Sequence, residues 1–153
     1  MRRFLGNWFE AERTELQWGH NTWQSAVGNI FEATNGTNYF SYTGHSQSKG
    51  CSAPETGFFT ESSLIGRVTL TSEAGVYELT FQVANTDYRH VALVYMCYEP
   101  MKIGTCGKGK MHLSLLTRHS PLTSHQRATL MSHLGNTCIL EADIIKATTV
   151  VGR

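Results

Sequence analysis

Alternation of apolar and polar positions dominates the chain and predicts a series of short antiparallel strands. Residues 76–83 (VYELTFQV) alternate strictly, so that Tyr77, Leu79 and Phe81 share one face. Residues 90–98 are almost continuously apolar, which is typical of a strand covered on both faces. About eight strand candidates occur at a spacing typical of a barrel or sandwich. They span residues 4–13, 23–32, 37–44, the pair Phe58 and Phe59, and residues 67–71, 76–83, 90–98 and 110–118.

One segment near the C-terminus has helical periodicity. Thr123 or Ser124 is a suitable N-cap, apolar residues recur at helical spacing as far as Leu134, and Gly135 follows at the capping position. Residues 138–151 look extended. The sequence therefore predicts an all-β fold with one late helix and a final strand, in a single domain over residues 1–153.

The inner faces of the predicted strands combine large side chains with small and polar ones. Ser25, Ser41, Thr43 and Ser62 fall at interior or half-interior positions, where a solid core would contain more Leu, Ile and Val. Because the strands also follow one another through short links, a closed barrel with an internal cavity is favoured over an open sandwich.

Charge and hydropathy exclude several classes of partner. The 153 residues carry a formal net charge of +1, and the densest basic groups, Arg2-Arg3 and Lys108-Gly109-Lys110, do not form a nucleic-acid-binding stripe. No run of 18 apolar residues occurs, so no membrane span is expected. The N-terminus as written lacks the apolar segment of a signal peptide.

Four cysteines, Cys51, Cys97, Cys106 and Cys138, lie far apart and without the spacing of a zinc site. An even number in a small domain favours two disulfides, an oxidising compartment and hence secretion, although four cysteines allow three connectivities. Four free cysteines in a core are the alternative.

Three separated motifs resemble those of the lipocalin family. Gly6-Asn7-Trp8 matches the G-x-W motif of the first strand, Thr86-Asp87-Tyr88 followed by ALVYMC matches the T-D-Y turn and the next strand, and Arg118 matches the arginine before the helix. Within the family, residues 86–97 look most similar to the apolipoprotein D and bilin-binding branch.

The resemblance implies an eight-stranded antiparallel up-and-down β-barrel, or calyx, with one C-terminal α-helix packed outside. It also implies that Trp8 plugs the closed end, with the Arg118 guanidinium stacked over its ring and the T-D-Y turn nearby. Six residues are thus expected to be structural rather than catalytic. They are Gly6, Trp8, Thr86, Asp87, Tyr88 and Arg118.

The related branch has a cysteine before its first strand that pairs with the one corresponding to Cys97, and this chain lacks it. Relative to that pattern, a Cys97–Cys106 disulfide across a link between neighbouring strands is our first expectation. Cys51 is then left to pair with Cys138.

The resemblance further implies a secreted carrier of a small hydrophobic molecule, without an obligatory cofactor. The ligand would be a biliverdin-like tetrapyrrole, a carotenoid, a retinoid or a lipid, and a bound chromophore would make the chain a pigment protein. Strand alternation predicts the inward, ligand-binding residues Val68, Leu70, Tyr77, Leu79, Phe81, Met111, Leu113 and Leu115. The further candidates lie on strands that do not alternate cleanly, and they are Trp23, Phe40, Tyr42, Phe59 and Tyr95. His45, in a segment placed at the barrel mouth, is a candidate to hydrogen-bond the polar group of a ligand.

Further features remain as predictions or alternatives. No metal site is expected, because the seven histidines do not occur at ligand spacing. Asn35-Gly36-Thr37 is an N-glycosylation sequon on a predicted type I′ turn. A homo-oligomer is one of the partner states that the sequence leaves open. Two other functions stay open: an enzyme that uses the Cys97 thiol inside the cavity, and a protein-interaction module that acts through residues 45–57.

Overall fold

The computed structural model describes residues 2–14, 25–46, 48–61, 68–73, 78–98, 106, 110–119, 121–134 and 144–146. A short 3₁₀ turn, Arg2–Phe4, precedes the first strand. The strands are β1 (Gly6–Thr14), β2 (Ser25–Glu32), β3 (Asn38–Ser46), β4 (Gly50–Cys51), β5 (Glu55–Glu61), β6 (Val68–Ser72), β7 (Glu78–Thr86), β8 (Val91–Cys97), β9 (Met111–Thr117) and β10 (Ile144–Lys146). The helix α1 spans Ser124–Met131.

Eight of these strands close into an antiparallel barrel. Their order is β1-β2-β3-β5-β6-β7-β8-β9, and β9 pairs back with β1. The two-residue β4 pairs with the end of β3, while β10 pairs with Glu12–Thr14 of β1. The predicted fold class, an all-β up-and-down barrel with one helix outside, is therefore confirmed. In the part of the chain described, no helix has the length and apolar character needed to cross a membrane.

A bulge in β1 changes which side chains enter the barrel. Glu10 pairs with Leu116 and Glu12 pairs with Leu115, so Ala11 is the extra residue. Residues three apart lie on opposite faces of a regular strand, but one inserted residue brings them to the same face. Glu10 and Arg13 consequently meet in a buried ion pair, with Nη1 and Oε1 3.2 Å apart.

The helix packs against the outside of the barrel. Thr123 is the N-cap, and its side chain forms a reciprocal capping box with Gln126. Leu130 is fully buried, and the Nε of Arg127 donates to both carboxylate oxygens of Glu12 at 2.9 and 3.0 Å. Apolar packing and one ion pair therefore hold the helix on the barrel wall.

The buried apolar residues form two clusters. The interior cluster lies inside the barrel and includes Phe4, Trp8, Phe59 and Phe81. The helix-side cluster lies between β8, β9 and α1 and is built mainly from leucines. Its buried members are Val91, Leu93, Leu113, Leu115, Leu130 and Leu134, and Tyr95, Met111, Leu122 and Met131 pack against them.

Four predicted inward residues belong to this helix-side cluster, so their prediction was wrong. Met111, Leu113 and Leu115 alternate as expected, but they face α1 rather than the barrel interior. Tyr95 on β8 likewise packs on the helix side. The helix packs on the outer face of these two strands and buries its apolar side chains there. The usual assignment of apolar positions to the barrel interior is therefore inverted here.

The predicted turn and one predicted disulfide also need correction. Gly36 has φ +82°, but Asn35 does not have a positive φ, and the Gly36 N–H donates to the Ala33 carbonyl. The turn is therefore not type I′, which needs φ > 0 at both central positions.

Cys51 is an exposed free thiol on β4, so the predicted bond to Cys138 is absent. Cys138 itself lies outside the described residues.

Candidate ligand-binding cavity

A cavity of about 110 Å³ lies inside the barrel, above the closed end. Strands from the whole circumference contribute to it. Its described lining is Phe4, Trp8, Glu10, Gly28, Ile30, Phe40, Ser41, Tyr42, Glu55, Phe59, Leu70, Leu79, Phe81, Val94, Met96, His112, Ser114 and Leu116. Most of these side chains are aromatic or aliphatic, and the polar ones gather on β1, β3, β5 and β9.

Aromatic rings form the floor of the cavity. Phe4 stacks on Trp8 with centroids 4.6 Å apart, and Phe59 makes edge-on contacts with Phe40 and Phe81 at 5.7 and 5.3 Å. Edge-to-face pairs at these distances are favourable geometries for aromatic side chains. Gly57 permits this packing, because an added Cβ would overlap the Phe40 ring and the Thr71 carbonyl oxygen.

The closed end is sealed by Trp8 and Arg118. The Arg118 guanidinium carbon lies 3.8 Å from the centroid of the Trp8 ring, a cation–π contact. The same guanidinium donates to the carbonyl oxygens of Tyr88 and Asn7. Gly6 has φ +100°, and an added Cβ would lie 2.9 Å from Arg118 Nη1.

The turn between β7 and β8 is held by its aspartate. The Asp87 Oδ1 accepts hydrogen bonds from the backbone N–H groups of Arg89, His90 and Val91. Partial desolvation opposes ionisation of Asp87, but these N–H donors and the His90 ring outweigh it and lower the Asp87 pKa to about 2. Thr86 Oγ1 accepts from the Tyr88 N–H and donates to the Val91 carbonyl. The turn is thus stabilised by internal hydrogen bonds.

A buried polar group occupies one wall of the cavity, and Glu10 is at its centre. Ser114 Oγ donates to Glu10 Oε2 at 2.7 Å, and Tyr42 Oη donates to Glu10 Oε1 at 3.4 Å. Arg13 Nη1 donates to the same Oε1 at 3.2 Å. Glu10, Arg13 and Ser114 are each at most 5% exposed. We call Glu10, Arg13, Tyr42, His112 and Ser114 the polar wall.

His112 extends the polar wall along β9. Its Nε2 lies 2.9 Å from Ser114 Oγ, and its Nδ1 lies 3.0 Å from Thr14 Oγ1. Thr14 Oγ1 also accepts the Leu113 N–H. Because Ser114 gives its proton to Glu10, the His112 Nε2–H donates to Ser114. This hydrogen-bond chain ends at the Glu10 carboxylate.

The polar wall keeps Glu10 ionised and Tyr42 protonated. Burial opposes ionisation of Glu10, but the His112 hydrogen bond and charge, together with Arg13 and Ser114, lower its pKa. Desolvation, followed by the Glu10 charge, raises the Tyr42 pKa well above its usual range. The cavity therefore contains a fixed carboxylate beside a neutral phenol.

The barrel is similar to those of several proteins of known structure. No family model and no curated protein matches the sequence. Lobster apocrustacyanin A1 superposes with a TM-score of 0.77 at 14% identity, covering 99% of this chain and 79% of that one. The siderocalin Ex-FABP gives 0.69 at 17% identity, with 99% and 95% covered, and the cockroach allergen Per a 4 gives 0.71 at 16%, with 96% and 86% covered. All three are lipocalins.

The chain has the lipocalin fold. The G-x-W, T-D-Y and arginine motifs meet at one end of the lipocalin barrel, as the resemblance implied. None of the three neighbours singles out the apolipoprotein D and bilin-binding branch. Trp8 also lines the floor of the cavity, which is a role that the motif did not indicate.

Six of the predicted ligand-binding residues line the lipocalin cavity: Phe40, Tyr42, Phe59, Leu70, Leu79 and Phe81. Val68 packs against the interior cluster but is not part of the lining. His45 is half-buried on β3, also outside the lining, and its buried Nδ1 has no hydrogen-bond partner among the described residues. Trp23 and Tyr77 lie outside the described residues. Whether the six contact a ligand stays a prediction.

Sequence reasoning identified Tyr42 but missed the other residues of the polar wall and part of the apolar lining. Glu10 lies two residues after Trp8, so the period-two rule could have placed it on the inner face. Val94 and Met96 on β8 were missed because both faces of that strand are apolar. Leu116 was missed because it shares its face of β9 with the polar residues His112 and Ser114.

The state of Cys97 in the lipocalin barrel bears on the enzyme alternative. Cys97 is 2% exposed, is bonded to Cys106 and is not part of the cavity lining. The predicted Cys97–Cys106 disulfide is confirmed. Cys97 therefore cannot supply the cavity thiol that the enzyme alternative required.

Proposed function

We propose that this chain binds and carries a small, largely apolar molecule inside its barrel. The observation that supports this most directly is a cavity with an aromatic floor and one polar wall. Transfer of apolar ligand surface from water into such a site contributes about 25 cal/mol per Å². A few fixed polar groups orient the ligand.

The neighbouring structures support the same class of function. The siderocalin Ex-FABP is described as functioning through dual ligand specificities, and the lobster crustacyanins A1 and C1 are named as apoproteins. At 14–17% identity these likenesses bear on the fold, so the ligand has to be argued from the cavity itself.

Cavity size favours a slender ligand among the four predicted classes. Sites for drug-sized molecules are about 300–1,000 Å³, whereas this cavity is about 110 Å³. An alkyl chain or the end of a retinoid suits that volume. A tetrapyrrole or a carotenoid would need most of its length outside the described cavity, so these two pigments are the less favoured ligands.

The proposal includes secretion. The Cys97–Cys106 disulfide supports an oxidising compartment, because cytosolic thiols are kept reduced. Asn35 is exposed on the β2–β3 turn, and its side chain accepts the Thr37 N–H, so the sequon is accessible for glycosylation. A glycan at Asn35 remains part of the proposal.

A cavity-filling variant tests the binding function. Gly28 lines the cavity, and a Cβ added there would make only ordinary contacts, 3.8 Å from Tyr42 and 4.0 Å from the Trp8 carbonyl oxygen. Gly28→Leu therefore fills the cavity while the barrel stays folded. Val27→Leu adds bulk at the adjacent, outward-facing position of β2 and is the matched control.

Calorimetric titration with decanol should show saturable binding of one molecule per wild-type chain. The affinity should fall by about tenfold or more in Gly28→Leu, a loss of about 1.4 kcal/mol, and stay unchanged in Val27→Leu. Circular dichroism and thermal unfolding would confirm that both variants fold. Equal binding by wild type and Gly28→Leu, or no saturable binding of decanol, decylamine or decanoic acid, would contradict the proposal.

A further inference from the structure

The polar wall has a chemical preference that the apolar cavity alone would not have. We infer that the cavity selects ligands whose polar end donates hydrogen bonds and carries no negative charge, an alcohol or an amine, and that it rejects carboxylates. This inference rests on the proposed binding function and adds the class of ligand.

Two carboxylates, Glu10 on β1 and Glu55 on β5, belong to the described lining of the cavity. His112 on β9 also lines it, and its Nε2 lies 3.8 Å from Glu10 Oε2. Arg13 is not part of that lining, and its guanidinium is bonded to Glu10 Oε1 at 3.2 Å. Only 4% of Glu10 is exposed to solvent, so its charge is weakly screened. A ligand carboxylate brought alongside it would be repelled.

The hydrogen-bond donors of the polar wall already point at Glu10. The Ser114 hydroxyl donates to Oε2 at 2.7 Å, and the Tyr42 hydroxyl donates to Oε1. The His112 Nε2–H is directed to Ser114 Oγ. An acidic ligand would therefore have to take these donors away from a buried anion, which would leave the Glu10 charge less well satisfied.

The Glu10 carboxylate can accept a further hydrogen bond from a ligand. A carboxylate offers about four lone-pair positions, and the two contacts at Glu10 Oε1 are long, 3.2 and 3.4 Å. A ligand O–H or N–H near Oε1 can replace the weak Tyr42 contact with a shorter, charge-assisted hydrogen bond. The geometry thus favours a donor at this position.

Three ligands with the same alkyl chain separate the effect of the head group from that of burial. Calorimetric titration of the intact protein at pH 7.4 would compare decanol, decylamine and decanoic acid. We expect decanol and decylamine each to bind about tenfold or more tightly than decanoate. Tighter binding of the amine than of the alcohol would show that charge attraction adds to the hydrogen bond.

Two matched substitutions test whether Glu10 causes the preference for decanol and decylamine over decanoate. Glu10→Gln keeps the shape of the side chain and removes its charge, so the preference over decanoate should shrink by about tenfold. Glu12→Gln makes the same change two residues away, where the carboxylate faces Arg127 on the helix, and should leave the preference unchanged. If Glu10→Gln does not fold, the three wild-type titrations still decide.

The outcomes separate this inference from the proposed function. Decanoate binding as tightly as decanol to the wild type would overturn the selectivity while leaving the carrier function intact. A preference unchanged in folded Glu10→Gln would overturn the role of the polar wall. Absence of saturable binding for all three ligands would overturn both.

Discussion

The two buried apolar regions of this barrel use alternate residues of the same strands. On β9, Leu113 and Leu115 pack under α1, and both are completely buried. The residues between and beside them, His112, Ser114 and Leu116, face the interior and line a cavity. One face of β9 therefore packs against the helix, while the other forms part of the cavity wall.

The difference shows how stability and binding are divided in this fold. The helix-side cluster is built mainly of leucines, and side chains of this kind contribute to stability by filling volume. The interior combines aromatic rings with a buried carboxylate, and burying such a group is unfavourable unless it is fully hydrogen-bonded. We interpret the helix side as structural and the upper interior as the region that determines ligand preference.

The largest effect is expected at the cavity floor. Trp8→Ala removes the ring that stacks on Phe4 and that lies under Arg118, so the free energy of unfolding should fall by about 3–5 kcal/mol. The preference for alcohol over acid should persist, because Glu10 is unchanged. Urea denaturation measures the stability, and titration measures the preference.

Phe9→Ala is the control for Trp8→Ala. Phe9 is the adjacent residue of β1 and is 40% exposed, so its loss should change the unfolding free energy by only about 0.5 kcal/mol. Similar effects of the two substitutions would contradict the assignment of Trp8 as the plug of the closed end.

A pair of leucines on β9 tests the division between the two faces. Leu113→Ala should lower the free energy of unfolding by about 2–5 kcal/mol, because this side chain is fully buried beneath the helix. Decanol affinity should not change. Leu116→Ala enlarges the cavity instead, so it should cost less stability and alter the affinity. Unfolding and titration of both variants would test this, and reversed effects would show that β9 has the opposite orientation.

The smallest effect concerns the turn at the closed end. The Asp87 pKa is lowered from 3.8 to about 2, so its ionised form stabilises the fold above about pH 4, and this contribution is lost as the pH falls through 2. Asp87→Asn should therefore make the unfolding free energy depend less on pH between 5 and 2. The side chain is 46% exposed, so the difference should be about 1 kcal/mol or less.

Acid-dependent urea denaturation would measure the Asp87 contribution. His90→Gln is a suitable control, because it keeps the three backbone N–H donors to Asp87 and removes only the ring contact. It should retain most of the pH dependence. Parallel pH profiles for wild type and Asp87→Asn would exclude the proposed contribution.

The fold could be predicted because its signals are local. The strand pattern, the N-cap at Thr123 and the three motifs each depend on neighbouring residues, and the structure has the predicted barrel, helix and cap. The link between Cys97 and Cys106 is also short enough to recognise in sequence.

The cavity was harder to predict, because its lining depends on contacts between distant elements. The helix covers the outer face of β9, which turns Leu113 and Leu115 away from the interior, and no local pattern of β9 encodes that cover. The bulge at Ala11 determines that Arg13 meets Glu10, and it arises from the register between β1 and β9. Period-two alternation cannot predict a change of register.

Methyl-group NMR during a decanol titration would test the central claim most directly, because it reports on both apolar regions in one experiment. We predict saturable shifts for the cavity residues Ile30, Leu79 and Leu116, and almost none for Leu113 and Leu130 beneath the helix. Shifts concentrated on the helix-side methyl groups, or no saturable shifts at all, would contradict the account.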